Sequence, residues 1–299
     1  MDSGDAAGVT QRPLIALTIA GSDSGGGAGI QADLKTFTAC GVYAASVVTA
    51  LTAQNTRGVR AIHYPPPGIV GAQIEAVLED FAVAAIKIGM LGNAEIASVV
   101  AERLPALSPK GRGSKTHLPL GEGGPKGRMR AFVVYDPVMT ASSGDALSGS
   151  GFVDAVRHAL LPLLDCLTPN LAEAAALLRQ PIAKSEADMR RQGAALLKLG
   201  PRAILMKGGH LQGEEAVDLL VTEDTIHRFA APRVASKNLH GTGCTLSSAI
   251  AADIVLGAPL PEAVAAAKTF VRRSIVRGQD VTLGAGAGPL IQTELRSKL

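Results

Sequence analysis

A run of glycines follows the first apolar stretch of the chain, in AGSDSGGGAGIQADLKTF at residues 20–37. Five glycines fall at positions 21, 25, 26, 27 and 29, with Asp23 and Asp33 close by. Glycine lets a backbone approach a ligand closely, and its amides can face an anion where a helix begins. A flexible turn between a strand and a helix is the alternative, but so many glycines favour a binding site. The run contains neither GxxxxGK[ST] nor GxGxxG, which argues against a nicotinamide oxidoreductase.

A second glycine motif, HGTGCTLSSAIAADIV, occupies residues 240–255 and leads into an amphipathic segment. Gly241, Thr242 and Gly243 would leave free amides at the positive end of a helix dipole, which suits a phosphate or a phosphoryl group in transfer. Cys244 stands at this helix start, where the dipole is expected to lower the pKa of its thiol. A buried structural cysteine behind a glycine turn would show the same pattern.

Two charged side chains follow other apolar runs. In TPNLAEAAALL at residues 168–178, Glu173 lies three residues after Asn170. This spacing fits a helix cap with an acidic first turn, and it equally fits a carboxylate beside a magnesium ion. In ILMKGGH at residues 204–210, Lys207 precedes two glycines. Its ammonium group would either meet a nucleotide phosphate or extend from a turn into solvent.

Short apolar runs alternate with periodic amphipathic segments, which predicts an α/β fold with a mostly parallel central sheet and helices on both faces. The predicted buried strands are Leu14–Ala20, Ala45–Leu51, Ala84–Met90, Ala131–Tyr135, Leu163–Leu167 and Ala203–Met206. The predicted helices are Ala28–Cys40, Gly68–Phe81, Ala94–Leu104, Gly151–Leu161, Leu171–Arg179, Glu186–Leu199, Cys244–Leu256 and Pro261–Arg277. A hairpin is expected from Ala216–Val221 and Thr225–Phe229.

The 299 residues suffice for one large domain, and their composition excludes several classes of protein. We expect a disordered tail at residues 1–12, one α/β domain at 13–299, and a mobile, basic Gly/Pro-rich surface insert at about 108–130 that lies remote from any site. A lid that covers a bound phosphate is the alternative for this insert, because its positive charge would also suit that role. The net charge of +3 and nine aromatic residues argue against nucleic-acid binding. Three widely spaced cysteines and the lack of a secretory signal or membrane span predict a soluble cytoplasmic protein without a zinc site.

Eight blocks of sequence, in order, resemble the hydroxymethylpyrimidine/phosphomethylpyrimidine kinases of thiamine biosynthesis, a ribokinase-like family. These blocks are AGSDSGGGAGIQADLKTF, TAQNTRGV, KIGMLG, DPVM, SSGD, TPNLAEA, MKGGH and HGTGCTLSSAIAA. The resemblance runs from about residue 14 to residue 290. It implies a single ribokinase-like domain and magnesium-dependent transfer of the ATP γ-phosphoryl group, first to the hydroxymethyl group of an aminopyrimidine and then to the resulting monophosphate.

The resemblance also assigns site residues. Pyrimidine-site positions are Gly21, Asp33, Gln54, Met90 and Val138. Metal positions are Asp136 and Glu173, and nucleotide-phosphate positions are Lys207, Lys237 and Thr242. Catalytic positions are Cys244, as the base for the hydroxyl proton, and Gly241 and Gly243, whose amides hold the transferring group. A homodimer and a monovalent cation beside Mg²⁺ are further expectations, whereas nucleic acid and membrane are not expected as partners.

Two rival functions stay open at this point. A pyridoxal kinase shares the fold and, in one class, the GTGC motif, and pyridoxal also carries a hydroxymethyl group on a nitrogen ring. Gln54 and Met90 favour the pyrimidine, because one amide offers a donor and an acceptor to an aminopyrimidine edge and a thioether gives the ring an adaptable apolar surface. A non-catalytic ligand-binding module is the other rival, and the charged residues Asp136, Glu173 and Lys207 argue against it.

Overall fold

The computed structural model describes residues 13–107, 130–140 and 149–295. The predicted tail at 1–12 and nearly all of the predicted insert at 108–130 lie outside these ranges, so both expectations stand untested. Within the part of the chain that the structure describes, no helix is long and apolar enough to cross a bilayer.

In the part of the chain that the structure describes, nine strands form one sheet in the order β3-β2-β1-β4-β5-β6-β7-β8-β9. The strands are β1 Ile15–Asp23, β2 Tyr43–Asn55, β3 Gly58–His63, β4 Val83–Ile88, β5 Phe132–Tyr135, β6 Cys166–Leu167, β7 Ala203–Lys207, β8 Glu215–Val221 and β9 Ile226–Pro232. Six strands that are consecutive in the sheet run parallel to one another: β2, β1, β4, β5, β6 and β7. Strands β3, β8 and β9 are antiparallel to their neighbours. The predicted mostly parallel sheet with a terminal hairpin is therefore confirmed.

Among the described residues, eight α-helices cover the two faces of this sheet. They are α1 Gly29–Ala39, α2 Pro67–Asp80, α3 Ala94–Arg103, α4 Phe152–Ala155, α5 Leu171–Leu178, α6 Glu186–Leu197, α7 Thr242–Val255 and α8 Leu260–Gly278. α1, α7 and α8 pack on one face, and α2 to α6 pack on the other. The helix predicted at 151–161 is interrupted: α4 continues as a π-helical turn, Val156–Leu160, and then as a 3₁₀ turn, Leu161–Leu163, where Pro162 ends the regular helical pattern.

Strand β4 shows why the central strands appear in the sequence as unbroken apolar runs. Ile86 and Ile88 pack under the helices of one face, and Ala85 packs under those of the other face, so neither side of the strand meets water. Lys87 is the exception in this strand, and it too is fully buried. A charged residue in such a strand requires a buried partner, and Asp33 is the partner of Lys87.

Strand β3 is absent from the predicted set. It pairs antiparallel with β2 at the edge of the sheet, and half of its residues are exposed. Its sequence, GVRAIH, is short and carries Arg60 among its apolar residues, so neither a buried run nor a clear alternation marks it. The pairing shifts register between Ala53 and Gln54, where Arg60 is the extra residue, so the bulge bends β3 beside the end of β2.

Candidate active site

The carboxyl ends of the parallel strands open into a cavity of about 1100 Å³. This is the end of an open α/β sheet at which ligands are expected to bind. Twelve of the predicted site residues line the cavity: Gly21, Gln54, Met90, Asp136, Val138, Glu173, Lys207, Lys237, Gly241, Thr242, Gly243 and Cys244. Gly21 and Cys244 are distant in sequence, but both line this cavity because β1 and α7 lie beside each other.

Asp33 is the predicted site residue that the structure does not place on the cavity wall. Its side chain is fully buried on α1, with no exposed surface from which to touch a pyrimidine. Both of its carboxylate oxygens lie 2.8 Å from Nζ of Lys87. Thr18 and Ser248 complete its hydrogen bonds at 2.6 and 2.8 Å. The expected direct contact with substrate is therefore wrong for this side chain, which forms a buried ion pair instead.

The Lys87–Asp33 pair lies beneath the centre of the site. Burial acts to lower the pKa of the Lys87 ammonium, but Asp33, Cys244 and Asp136 together raise it above its usual range. The lysine therefore stays charged although no water reaches it. Gly89, which follows β4, leaves room for the ammonium, since a Cβ there would come within 2.8 Å of Nζ. The pair holds the Lys87 ammonium close to Cys244 and Asp136, which both line the cavity.

The glycine-rich loop after β1 is organised by its own aspartate. The Asp23 carboxylate accepts the amides of Gly25, Gly27 and Ala28 at 2.8, 3.0 and 2.9 Å. These three amides are therefore already occupied, and they do not face a ligand as the sequence suggested. His240 donates from Nε2 to the same carboxylate at 2.9 Å. Burial acts to raise the pKa of Asp23, but the hydrogen bonds from His240 and the amides hold it below its usual value.

The GTGC motif meets this loop at the start of α7. Gly241 has φ +88°, and a Cβ on it would lie 2.0 Å from the carbonyl oxygen of Gly27, so only glycine fits. Thr242 donates its hydroxyl to the carbonyl of Leu239 at 2.8 Å, which fixes the first turn of the helix. Gly243 lies against Asp136: a Cβ there would be 3.0 Å from Oδ2. The N-terminus of α7 therefore points at Asp136 in the cavity.

Cys244 lies in the first turn of α7, as expected, but its thiol is not activated. Burial raises the pKa of the Cys244 thiol to about 11, and the nearby Lys87 ammonium only partly offsets this increase. Asp33 and Asp136 raise the pKa further by charge repulsion. The prediction that the helix dipole lowers the thiol pKa is wrong here because the desolvation of the thiolate exceeds the favourable field.

Asp136, Lys207 and Glu173 form the charged centre. Nζ of Lys207 lies 2.5 Å from Oδ1 of Asp136 and 3.8 Å from Oε2 of Glu173. Glu173 also forms a capping box with Asn170 at the start of α5, so the interpretation as a helix cap is confirmed, and the role beside a magnesium ion stays a prediction. Burial raises the pKa of Glu173 to about 7, although Lys207 acts to lower it, and the Asp136 charge raises it further. The Lys207 pKa is raised, because the two carboxylates outweigh the effect of burial.

These two carboxylates fit a magnesium ion. Oδ2 of Asp136 is buried and accepts no hydrogen bond from the residues that the structure describes. Mg²⁺ is held in proteins by one or two carboxylates together with water and substrate phosphates, not by a complete protein cage. Accordingly, the described residues include no cluster of three or more metal-binding side chains. Asp136 and Glu173 would hold such an ion beside the phosphates.

The residues predicted to bind the pyrimidine, apart from Asp33, line one end of the cavity. The Gly21 amide donates to the Met90 carbonyl at 3.1 Å, and a Cβ on Gly21 would lie 3.0 Å from the Met90 sulfur. Thr49, the extra residue in a bulge of β2, donates its hydroxyl to the same carbonyl at 2.6 Å. Val138 packs against this apolar wall, and Gln54 extends its amide into the cavity from β2. The wall thus combines apolar surface with one amide.

The other end of the cavity lies between β9 and α8. Exposed Lys237 lines it, together with the apolar side chains Leu246, Val234, Val271 and Ile275. A flat aromatic base needs such an apolar wall, and its phosphates need a cation near the charged centre. This end has the chemistry required for a nucleotide.

Sequence reasoning missed three residues of the site, which are His240, Thr52 and Lys87. His240 stood next to GTGC, but a single histidine without metal-ligand spacing carries no specific signal. Thr52 donates its hydroxyl to the Ser22 carbonyl at 2.8 Å and faces the cavity two residues before Gln54. Lys87 could have been found, because a lysine inside the apolar run AAIKIGM signals a buried counter-charge.

Comparisons with known proteins agree with this geometry. The sequence model of the phosphomethylpyrimidine kinase family matches residues 23–110 and 126–291. A hydroxymethylpyrimidine/phosphomethylpyrimidine kinase from Rhizobium meliloti (strain 1021) is 49% identical over 276 residues, which cover 92% of this chain and 96% of that protein. The crystal structure of a phosphomethylpyrimidine kinase from Clostridium difficile 630 is 41% identical, with a TM-score of 0.71 over 87% of this chain and 99% of that one. The pyridoxal kinase from Staphylococcus aureus in complex with AMP-PCP and pyridoxal is 28% identical, with a TM-score of 0.80 over 94% of both chains.

Proposed function

The chain belongs to the phosphomethylpyrimidine kinase family, and from this membership we propose that it phosphorylates 4-amino-5-hydroxymethyl-2-methylpyrimidine and then the resulting monophosphate with ATP, in thiamine diphosphate biosynthesis. The observation that carries the proposal is the cavity itself. One amide and an apolar wall lie at one end, an apolar nucleotide-sized region lies at the other, and the Asp136–Lys207 pair lies between them under the amides of α7. This order of groups is what transfer between two bound substrates requires.

The acceptor binds at the Gln54 end. The pyrimidine ring packs against Met90 and Val138, because a flat ring and an adaptable thioether make close contact. Gln54 offers one donor and one acceptor to the amino-substituted edge of the ring. The hydroxymethyl group then points toward Cys244 and the start of α7.

The donor binds at the opposite end, with its phosphates at the charged centre. Lys207 and Lys237 neutralise phosphate charge, and Thr242, Gly241 and Gly243 place the amides of the α7 N-terminus around the transferring group. In the first transfer the hydroxymethyl oxygen bonds to the γ-phosphorus while the bond to the bridging oxygen of ADP breaks. The hydroxyl proton must then leave, and Cys244 is the nearest candidate to receive it.

The second transfer differs chemically from the first. Its acceptor is a phosphate monoester whose second pKa is about 6, so the attacking oxygen has already lost its proton at neutral pH. No base is needed for that step. Positioning and charge neutralisation by Lys207 and the α7 amides therefore dominate, as is usual in phosphoryl transfer.

Asp136 and Glu173 would hold Mg²⁺, whose contribution is to neutralise charge on the ATP phosphates. The unpartnered Oδ2 of Asp136 supports this assignment. A monovalent cation is proposed alongside Mg²⁺ on the family resemblance alone.

Pyridoxal kinase is the second candidate function. The Staphylococcus aureus pyridoxal kinase shares the fold across nearly the whole chain, at lower identity than the pyrimidine kinases. Gln54 favours the pyrimidine, since its paired donor and acceptor match an amine beside a ring nitrogen, and pyridoxal has no such edge. A non-catalytic binding module is disfavoured, because Asp136, Glu173 and Lys207 converge on one point of the cavity.

We further propose a cytoplasmic homodimer. Leu51 is exposed where β2 pairs with the edge strand β3, and Tyr43 is exposed at the opposite end of β2. This side of the sheet therefore offers apolar surface and strand edge to a second copy. The three cysteines form no disulfide, as expected in a reducing compartment. Sedimentation velocity of the wild-type chain against a Tyr43→Lys/Leu51→Lys variant tests the assembly: the variant should sediment as a monomer.

Parallel kinetics with ATP·Mg²⁺ test the activity. The pyrimidine alcohol should be phosphorylated with a kcat/KM well above that for pyridoxal, and the product should accept a second phosphoryl group. Gln54→Ala should raise the KM for the pyrimidine by a factor that corresponds to about 1–3 kcal/mol, and it should leave the KM for ATP unchanged. A higher kcat/KM for pyridoxal would instead establish the second candidate.

A further inference from the structure

The Gln54 amide lies between two polar side chains that both constrain it. Its oxygen Oε1 is 3.2 Å from Oγ1 of Thr52, and its nitrogen Nε2 is 3.4 Å from Nε2 of His240. Thr52 and Gln54 share a face of β2 because they are two residues apart in a strand. All three side chains line the cavity at its pyrimidine end.

The proton on His240 is fixed by Asp23. The Asp23 carboxylate already accepts three backbone amides, and it is an acceptor toward every neighbour. His240 Nε2 lies 2.9 Å from Oδ2 of this carboxylate, so Nε2 carries the hydrogen and donates it. This hydrogen is directed mainly at Asp23, and a protonated Nε2 has no lone pair, so the Gln54 NH₂ finds no acceptor 3.4 Å away. An amide oxygen in the same place can accept a share of that hydrogen.

The proton on Thr52 is fixed in the same way. Oγ1 of Thr52 lies 2.8 Å from the carbonyl oxygen of Ser22, which can only accept. A hydroxyl has one hydrogen, and that bond uses it. Toward Gln54, 3.2 Å away, Oγ1 is therefore an acceptor, and the amide group that satisfies it is the NH₂.

Both neighbours thus require the same orientation of the amide. We propose that Gln54 works with its side-chain amide turned by 180°, its carbonyl toward His240 and its NH₂ toward Thr52, and that Thr52 and the Asp23–His240 pair are specificity-determining residues because they fix this orientation. Turning the amide exchanges two groups of nearly equal size, so no other atom has to move. The inference deepens the proposed pyrimidine kinase function and rests on it.

A fixed amide offers the substrate an ordered edge. The carbonyl, on the His240 side, accepts a hydrogen bond from the exocyclic amine, and the free N–H on the Thr52 side donates to the adjacent ring nitrogen. The 4-oxo analogue of the pyrimidine presents the opposite order, with an oxygen in place of the amine and an N–H in place of the ring nitrogen. An amide held in this orientation binds the analogue weakly, because it would have to rotate and lose its interactions with His240 and Thr52.

The test compares kcat/KM for the amino pyrimidine alcohol and its 4-oxo analogue in four proteins. In the wild type the amino compound is strongly preferred. In Thr52→Val and in His240→Phe, which keep side-chain volume and remove one constraint each, the preference falls by about tenfold or more. The fall comes from a raised KM for the amino compound and a lowered KM for the oxo compound, with the KM for ATP unchanged. Thr52→Ser, which keeps the hydroxyl, restores the preference.

Thr269→Val serves as the matched control, because Thr269 lies on α8, exposed, with its hydroxyl bonded to the Ala265 carbonyl. The Thr269→Val variant should prefer the amino compound over the 4-oxo analogue by the same factor as the wild type. Thermal unfolding of every variant separates loss of fold from loss of orientation, and Thr52→Val carries the test if His240→Phe is unstable. An unchanged preference in a folded Thr52→Val variant overturns the inference. Failure of the wild type to phosphorylate the amino compound overturns the proposed function itself.

Discussion

The thiol of Cys244 offers the sharpest check on the electrostatics of the site. With a pKa of about 11, only about 10⁻⁴ of these thiols are ionised at pH 7, against about 3 in 100 for an ordinary cysteine whose pKa is about 8.5. The more basic thiolate is intrinsically the better nucleophile by about ten- to twentyfold. The two effects combine to make alkylation about twenty- to thirtyfold slower than for a free cysteine, before any loss from restricted access.

The assay is the rate of iodoacetamide alkylation in a variant that retains Cys244 as its only cysteine, made by Cys40→Ser and Cys166→Ala. The rate should rise about tenfold per pH unit from pH 7 to pH 10 without a plateau, because ionisation limits it throughout. An unstructured peptide with one cysteine, whose thiol pKa is about 8.5, should level off above about pH 9.5 when it is measured in parallel. Restricted access lowers every point of the profile equally, so the shape of the curve reports the pKa alone.

A plateau near neutral pH would refute this reasoning. It would mean that the helix dipole and the Lys87 ammonium outweigh burial, and that the thiolate is ready to act as a base before substrate arrives. If the predicted profile is observed, the thiol must lose its proton only when substrate binding changes its surroundings, or else water takes the hydroxyl proton.

Four further outcomes are expected. Cys244→Ala should slow the first phosphoryl transfer, to the alcohol, far more than the second, whose acceptor has already lost its proton; single-turnover rates with each acceptor measure this. Lys87→Met should cost about 3–5 kcal/mol in urea unfolding, because it leaves the Asp33 carboxylate buried without its counter-charge. Glu173, with a pKa of about 7 against 4.5 when unfolded, holds its proton in the folded chain, so its contribution to stability falls as pH rises across that interval, and Glu173→Gln should flatten this part of the pH–stability curve. Gly241→Ala should lower both stability and turnover, because its Cβ would strike a backbone carbonyl.

Two of these expectations have a matched control variant, and a third has an outcome that would contradict it. The double variant Lys87→Met/Asp33→Leu should recover most of the lost stability, and a double variant as unstable as Lys87→Met alone would contradict the ion-pair explanation. Gly209→Ala is the comparison for Gly241→Ala, since a Cβ at Gly209 meets no atom within 4 Å, and it should unfold like the wild type. Equal slowing of both transfers in Cys244→Ala would show that the residue shapes the site and takes no proton.

The sequence allowed the sheet to be predicted because its central strands are buried on both faces, so that Ala203–Met206, for example, appears as an uninterrupted apolar run. The edge strand β3 gave no such signal, since one of its sides meets water and its neighbour β2 determines its pairing. The helix at 151–161 was predicted as continuous because periodicity does not distinguish an α-helical from a π-helical turn.

The site was predicted in its membership more than in its electrostatics. The end of a strand indicated Lys207, and the family resemblance added Asp136 and Gln54. The structure brings all three to one cavity, because parallel strands end at one edge of the sheet. The burial of individual side chains could not be predicted from residue type and position in this way. Asp33 and Cys244 occupy the expected backbone positions, but whether a side chain meets the cavity or the core, and therefore what its pKa becomes, depends on neighbours such as Lys87 that are distant in sequence.

The contact between α1 and α7 has a consequence for synthesis of the protein on the ribosome. About 200 residues separate the end of α1 at Ala39 from the start of α7 at Thr242, and the apolar residues of α1, Phe37 among them, are covered by α7. At about 5–20 residues per second, the ribosome needs about 10–40 s to make that stretch. During this time one face of the growing sheet has no helix to complete it. The apolar residues on this face therefore lack their final cover until nearly all of the chain has been made.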